Sequence, residues 1–344
     1  MYAMSDKIQM NSTTRRLCMK YFKRLVFRLF TLFLLSPALF SQTAESAAEH
    51  AQRKAPTIWD FLVHPRFIIK FIVMLVLGIV ALVLLKTKKM NKPTKVVLLL
   101  LATFLFGLLG NVFDYFVMHP SPMCAATKSL LYGFGIPLII TLAVIFLLTL
   151  IGPKLFCGWV CPVGAVQELV AMLADKLGIK RYRFSFTIAQ AVRLLIFILF
   201  IFLSTTAVIH GVFQGETYAI SLYDYFNPFH GMEFGANKDL LGYLIHYLPF
   251  VLTVVFAFKY YRPFCHFVCP IGLYTHLLEQ VAICRITFKK NTCTNCNICV
   301  KTTPCAAIPE IMKEAALRPD CFACNDCIEK CPEGSFEVAI KRTV

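Results

Sequence analysis

Residues 157–164, Cys-Gly-Trp-Val-Cys-Pro-Val-Gly, recur at 265–272 as Cys-His-Phe-Val-Cys-Pro-Ile-Gly. An Asp-Tyr-Phe triplet precedes each copy: Asp114-Tyr115-Phe116 by 43 residues, Asp224-Tyr225-Phe226 by 41. Long apolar runs flank both triplets. A period of about 110 residues with this many matched positions marks a duplicated unit. Each unit reads as an apolar span, an outer turn with the triplet, a second span, and a C-x3-C-P-x-G motif. Two spans return the chain to the same side. The copies are therefore parallel, related by an axis along the membrane normal.

Composition agrees with a membrane-embedded duplication. The chain has 344 residues, 58% of them hydrophobic and 16% charged, with a mean hydropathy of +0.67. These values exclude an ordinary soluble domain and indicate an integral membrane protein. Five core spans are expected at 67–85, 96–112, 131–151, 191–210 and 243–258. Ahead of them come a basic head (Lys7, Arg15, Arg16, Lys20, Lys23, Arg24, Arg28), an apolar stretch over 25–40 and a polar stretch over 41–54. That order suits a signal sequence or an uncleaved anchor, and either puts 41–65 outside. The loop 86–95 holds five lysines and no acid, whereas 211–242 holds Glu216, Asp224, Glu233 and Asp239 against Lys238. Retention of basic loops places 86–95, 152–188 and everything after Lys259 in the cytoplasm. The net charge of +16 thus belongs to loops beside the spans, and nucleic acid is not the expected partner.

Eight of the fifteen cysteines fall in the last sixth of the chain. They form Cys293-x2-Cys296-x2-Cys299-x5-Cys305 and Cys321-x2-Cys324-x2-Cys327-x3-Cys331-Pro332. Three thiolates at this spacing wrap one corner of an iron–sulfur cube, and the fourth reaches to the other cube in two-cluster ferredoxins. The spacing assigns Cys293, Cys296, Cys299 and Cys331 to one [4Fe–4S] cluster, and Cys321, Cys324, Cys327 and Cys305 to the other. The first run departs from the usual form, with five residues before Cys305 and Pro304 preceding it. Zinc knuckles and disulfides are the alternatives, but zinc sites usually pair two C-x2-C units. The fold class expected is an all-α polytopic membrane protein with a small α+β two-cluster ferredoxin-like domain. Its parts are 1–65, 66–283 and 284–344.

The repeated motif suggests a further site. Cys157 and Cys161 share one face if helical, and Pro162 begins a new helix, as Pro270 does after Cys269. Free N–H groups there favour thiolates and anionic clusters. The repeat brings Cys157, Cys161, Cys265 and Cys269 to one depth, where they could hold a third [4Fe–4S] cluster. Separate redox thiols, a transient copper site and inert buried thiols remain open. Cys18 and Cys284 read as structural. Cys124 lies in 119–127, whose end loosely suggests covalent flavin attachment at Thr127, or simply a helix start made of small residues. Asp114 and Asp224, with His119, His230, Tyr115 and Tyr225, could exchange protons with a quinol. Helix caps or an interfacial aromatic belt would look the same. His210 and His246 lack matching partners in the repeat, which argues against haem.

Two C-x3-C-P copies between spans, followed by a two-cluster tail, resemble the NapH membrane subunits of periplasmic nitrate reductase systems. The same core is similar to the C-terminal half of NosR and to the CcoG group of oxidase-maturation proteins. The resemblance covers roughly 95–335. It implies quinol-linked electron transfer at the bacterial inner membrane, with the motif cysteines as a membrane redox site and the eight tail cysteines as ligands of two clusters. A NosR-like periplasmic flavin domain is not expected, since 41–65 is too short. The expected partners are lipid, a quinone or quinol, and a redox protein. Two other functions fit the same residues: a copper-reducing maturation factor, with Cu(I) on soft thiolates, and a structural anchor for a dehydrogenase.

Overall fold

The computed structural model describes residues 65–109, 116, 121–132, 136–213, 223, 226–229, 240–315 and 318–340. Thr57–Val344 form one compact unit. The expected signal or anchor lies outside the described residues.

Helix α1, Pro65–Lys86, contains no acidic residue. Ile72, Val76, Ile79 and Val83 recur on one face of it, each about half exposed. Such an apolar stripe left open at helical spacing is what a lipid-facing helix presents. Helix α2, Lys92–Thr103, starts with proline in its first turn and runs into a π-helical turn, Phe104–Leu108. Next come α3, Pro122–Tyr132, and α4, Ile136–Ile151. The run expected as one span over 131–151 is thus divided between two helices. Ser121 through Thr127 are buried. The small residues Ala125, Ala126 and Thr127 allow close helix approach.

After α4 the chain turns through Lys154, at φ 45°, into a π-helical turn, Phe156–Val160, that carries Cys157. Cys161 is extended (φ −66°, ψ 119°), and Pro162 opens α5, Pro162–Lys176. The second copy repeats this path. Helix α6, Phe186–Phe213, and α7, Leu240–Ala257, lead to Arg262 at φ 48°. A short helix α8, Pro263–Phe267, carries Cys265. Cys269 takes φ −65° and ψ 117°, and Pro270 opens α9, Pro270–Glu279. Proline fixes φ and lacks an N–H, so it can only begin these helices. Helix α9 packs against α3. The small residues of α3 therefore lie in a helix packed against the one that follows the second cysteine motif.

Packing between the copies is exchanged. Helix α5 packs on α2 of its own copy and on α7 of the other. Helix α9 packs on α6 of its own copy and on α4 of the other. This reciprocal pattern is what two parallel, interlocked repeats produce. By length and composition, two helical stretches among the described residues can cross a membrane, Phe67–Lys86 and Phe186–Thr206; Ile136–Ile151 and Tyr247–Ala257 are apolar but shorter.

The tail closes on itself through an antiparallel pair, β1, Cys284–Phe288, and β2, Phe336–Ile340, with Ile286 opposite Val338. Between the strands lie α10, Ile298–Thr302, α11, Ile308–Met312, and α12, Asp326–Glu329.

Candidate metal centres

The two tail runs share one backbone pattern. Asn295 and Asn297 have φ of 56° and 57°, and Ala323 and Asn325 have 49° and 73°. In each run these are the second and fourth residues after its first cysteine. Left-handed steps there curl the loop and aim N–H groups inward. The amide of Asn295 donates to Cys293 Sγ at 3.4 Å and that of Ser335 to Cys331 Sγ at 3.3 Å. Cys293, Cys296, Cys299 and Cys331 line one hollow, with Met312 and Phe336 behind them. Cys305, Cys321, Cys324 and Cys327 line another, beside Phe322 and Ile308. The crossed grouping expected from spacing is therefore the spatial grouping, Cys305 included. The first hollow is the more open of the two: Cys296 is exposed.

The four motif cysteines also come together. Cys157, Cys161 and Cys265 are buried, and Cys269 is half-buried. The thiols act on one another: Cys161 is influenced by Cys157, Cys265 and Cys269. Burial pushes Cys157 up to about 12 and Cys161 well above the usual thiol range. The amides of Gly164 and Gly272, at the starts of α5 and α9, act the other way on Cys161 and Cys269. In the tail, burial pushes Cys305 up to about 12 and Cys324 up to about 11. Thiols held this way lose their protons when a metal takes their place. Four soft sulfurs in each set, with N–H donors at several of them, fit an iron–sulfur cube.

Side chains from the opposite copy hold each motif. Gln167 on α5 donates to Cys265 Sγ at 3.3 Å and accepts the Phe264 N–H at 3.1 Å. The Thr275 hydroxyl on α9 donates to the Ile271 carbonyl at 2.8 Å and lies close enough to Cys157 to influence its thiol. Arg262, also from the opposite copy, donates to the Cys157 carbonyl at 2.7 Å, while Arg193 on α6, of the same copy as Cys265, donates to the Cys265 carbonyl at 2.9 Å.

Two buried charge clusters join this region to the tail. In the first, Lys95 meets Glu168 at 2.6 Å and Asp326 at 2.8 Å, while Arg262 Nε meets Glu168 at 3.0 Å. Burial alone would raise Glu168, but Lys95 and then Arg262 outweigh it and hold the carboxyl at about 2. In the second, Asp320 meets Lys154 at 2.5 Å, His276 at 2.9 Å, Arg193 at 3.1 Å and His266 at 3.6 Å. Against its burial, Arg193 and Lys154 hold Asp320 well below the usual carboxylate range. Burial pushes Glu279 the other way, up to about 8; its Oε1 accepts the Cys321 N–H at 3.1 Å. His276, Glu279 and Asp320 have ligand atoms close enough to share a cation. Lys154 and Arg193 already supply that charge.

Sequence reading missed these clusters. Lys95 and Lys154 stand in loops counted as solvated, yet both are buried. The signal was available in the repeat. Lys154 and Arg262 each stand three residues before a motif, and Glu168 and His276 each stand seven after its second cysteine.

The remaining expected residues divide. Asp114, His119, Asp224 and His230, with Tyr115 and Tyr225, lie outside the described residues, as do the side chains of His210 and His246. Thr127 is buried, and its hydroxyl donates to the Met123 carbonyl at 2.9 Å within α3. Cys284 is buried in β1.

The 4Fe-4S binding domain family matches the chain twice, at 134–180 and 244–291, once over each motif. An uncharacterized protein of Methanocaldococcus jannaschii is 25% identical over 207 residues, 60% of this chain and 73% of its own. The ferredoxin-type protein NapH of Haemophilus influenzae is 26% identical over 211 residues, 58% of this chain and 66% of its own. The methylamine utilization ferredoxin-type protein MauN of Methylorubrum extorquens is 24% identical over 235 residues, 66% of this chain and 74% of its own. No solved structure matches. The likeness to NapH-type proteins expected from the cysteine pattern is borne out, and both matched segments are similar to a 4Fe-4S binding domain.

Proposed function

We propose, from that kinship, that this chain is a membrane-bound relay passing electrons between the quinone pool and a redox protein. Cys293, Cys296, Cys299 and Cys331 hold one [4Fe–4S] cluster of the tail, and Cys305, Cys321, Cys324 and Cys327 the other. Cys157, Cys161, Cys265 and Cys269 hold a third. Bound there, each cluster takes up or gives up one electron at a time.

The residues around these cysteines set the potential and keep water away. The amides of Asn295 and Ser335 bond to sulfur, those of Gly164 and Gly272 favour the thiolates at the helix starts, and Arg262, Lys154 and Arg193 put positive charge nearby. The observation that carries the reading is the gathering of twelve cysteines into three sets of four, two of them joined by direct contact of the residues between their ligands. Asp114, Asp224, His119 and His230 are the groups proposed to exchange protons with quinol. The chain would lie in the bacterial inner membrane with its tail in the cytoplasm.

The test is iron and acid-labile sulfide on anaerobically purified protein, with EPR before and after quinol addition. About twelve irons per chain, falling by about four on Cys157→Ser, supports all three sites. About eight, unchanged by that substitution, removes the membrane site. Colourless protein with bound zinc overturns the reading, and clusters that quinol cannot reduce overturn the link to the quinone pool.

A further inference from the structure

The residues between the ligands of the membrane set touch those between the ligands of one tail set. Phe322 stands between Cys321 and Cys324, and Gly158 and Trp159 stand between Cys157 and Cys161. A Cβ on Gly158 would overlap the carbonyl oxygen of Phe322, so glycine is what allows this approach. Trp159 Nε1 donates to the Ala323 carbonyl at 3.3 Å. Phe322 itself is 3% exposed.

The Phe322 ring is held by cations from both copies. The Arg262 guanidinium lies 4.6 Å from its centroid and Lys154 Nζ lies 5.3 Å away. His266 meets it edge-on at 5.4 Å. Arg262 also binds the Cys157 carbonyl at 2.7 Å and the Gly158 carbonyl at 3.4 Å. One buried side chain therefore fixes the backbone of the first motif and the aromatic ring of the tail together. Filling space would need only an aliphatic residue at 262. A desolvated cation with four partners is a costly choice unless their relative position matters.

We propose that the Gly158–Phe322 contact is the junction at which electrons cross between the membrane cysteine set and the inner tail set, Cys305, Cys321, Cys324 and Cys327. Arg262 is its positioning residue. The proposal rests on the reading that both sets hold clusters. One electron crosses from a reduced [4Fe–4S] cluster to an oxidised one, and no bond forms or breaks and no proton moves. The order that follows is membrane set, inner tail set, then the outer set around exposed Cys296, which is the cytoplasmic port.

The experiment uses full-length, anaerobically reconstituted protein and reads the magnetic coupling of the membrane cluster by EPR relaxation, with iron content as control. Coupling is expected in the parent, retained in Cys299→Ser, which loses the outer cluster, and lost in Cys327→Ser, which loses the inner one. Gly158→Ala with full iron content is expected to weaken the coupling, as is Arg262→Gln, with partial return in Arg262→Lys. Coupling that survives Cys327→Ser, or that disappears instead in Cys299→Ser, overturns the junction. So does unchanged coupling in an iron-replete Gly158→Ala. The cysteine pair decides the matter even if the glycine variant does not fold. Iron content that ignores Cys157→Ser would instead remove the reading beneath the junction.

Discussion

Asp320 is the residue on which the interior charge converges, with Lys154, Arg193 and two histidines around one carboxylate. Asp320→Asn leaves Lys154 and Arg193 buried without a counter-charge. A loss of about 3–5 kcal/mol is expected, read as a lower thermal midpoint and earlier release of iron. Glu168 allows a pH test. Its folded carboxyl titrates at about 2 against an ordinary 4.5. A depressed acid contributes stability above its unfolded value and loses it as pH falls through the folded one. The parent should therefore lose on the order of 3 kcal/mol between pH 4.5 and 2 from this group. The gap between parent and Glu168→Gln should close over the same window in thermal unfolding of detergent-solubilised protein; a gap that stays constant would count against the pairing. The cysteines were legible because metal ligation imposes spacing. The ion clusters were not, because a lysine in a polar loop looks solvated whatever it meets. Lys86, Lys88, Lys89 and Lys92 are exposed as the topology reading supposed; Lys95 and Lys154 are not.

At the scale of elements, the starts of α5 and α9 were readable from Pro162 and Pro270, and the two preceding cysteines adopt nearly the same backbone angles. The π-helical turn under Cys157 was not readable, since one extra residue in a turn leaves no periodic trace. The boundary between α3 and α4 had a signal, Gly133 and Gly135 with Pro137 just after them, inside a run otherwise apolar enough to read as one span. Close approach at these starts gives a local prediction. A Cβ on Gly164 would overlap the Cys157 carbonyl oxygen. Gly164→Ala should push α5 off the turn and cost about 1–3 kcal/mol. The measured sign would be reduced iron retention during purification, with Ala165→Gly in the same helix as a control that creates no overlap.

For the whole molecule, the duplication was legible, and the two matches to one domain family fall on its two copies. The reciprocal exchange was not, because sequence shows which segments resemble each other and not which ones pair. That exchange predicts the behaviour of a divided chain. Residues 1–180 and 181–344 expressed separately should each be degraded, since α5 and α9 lose their partners from the other half. Co-expressed, they should copurify; stable accumulation of either fragment alone would contradict the interlocked packing.

Asp320 and Asp326 also bear on the order of events at the ribosome. Lys95 and Lys154 are translated before the tail acids they meet, Asp326 and Asp320, which follow them by 231 and 166 residues. Lys154 therefore waits for its counter-ion until the tail is made, whereas Lys95 has Glu168 to meet earlier. Closure of the interior around Lys154 thus depends on the tail segment that carries Asp320, so a stop codon ahead of it would spoil the interior as well as the tail.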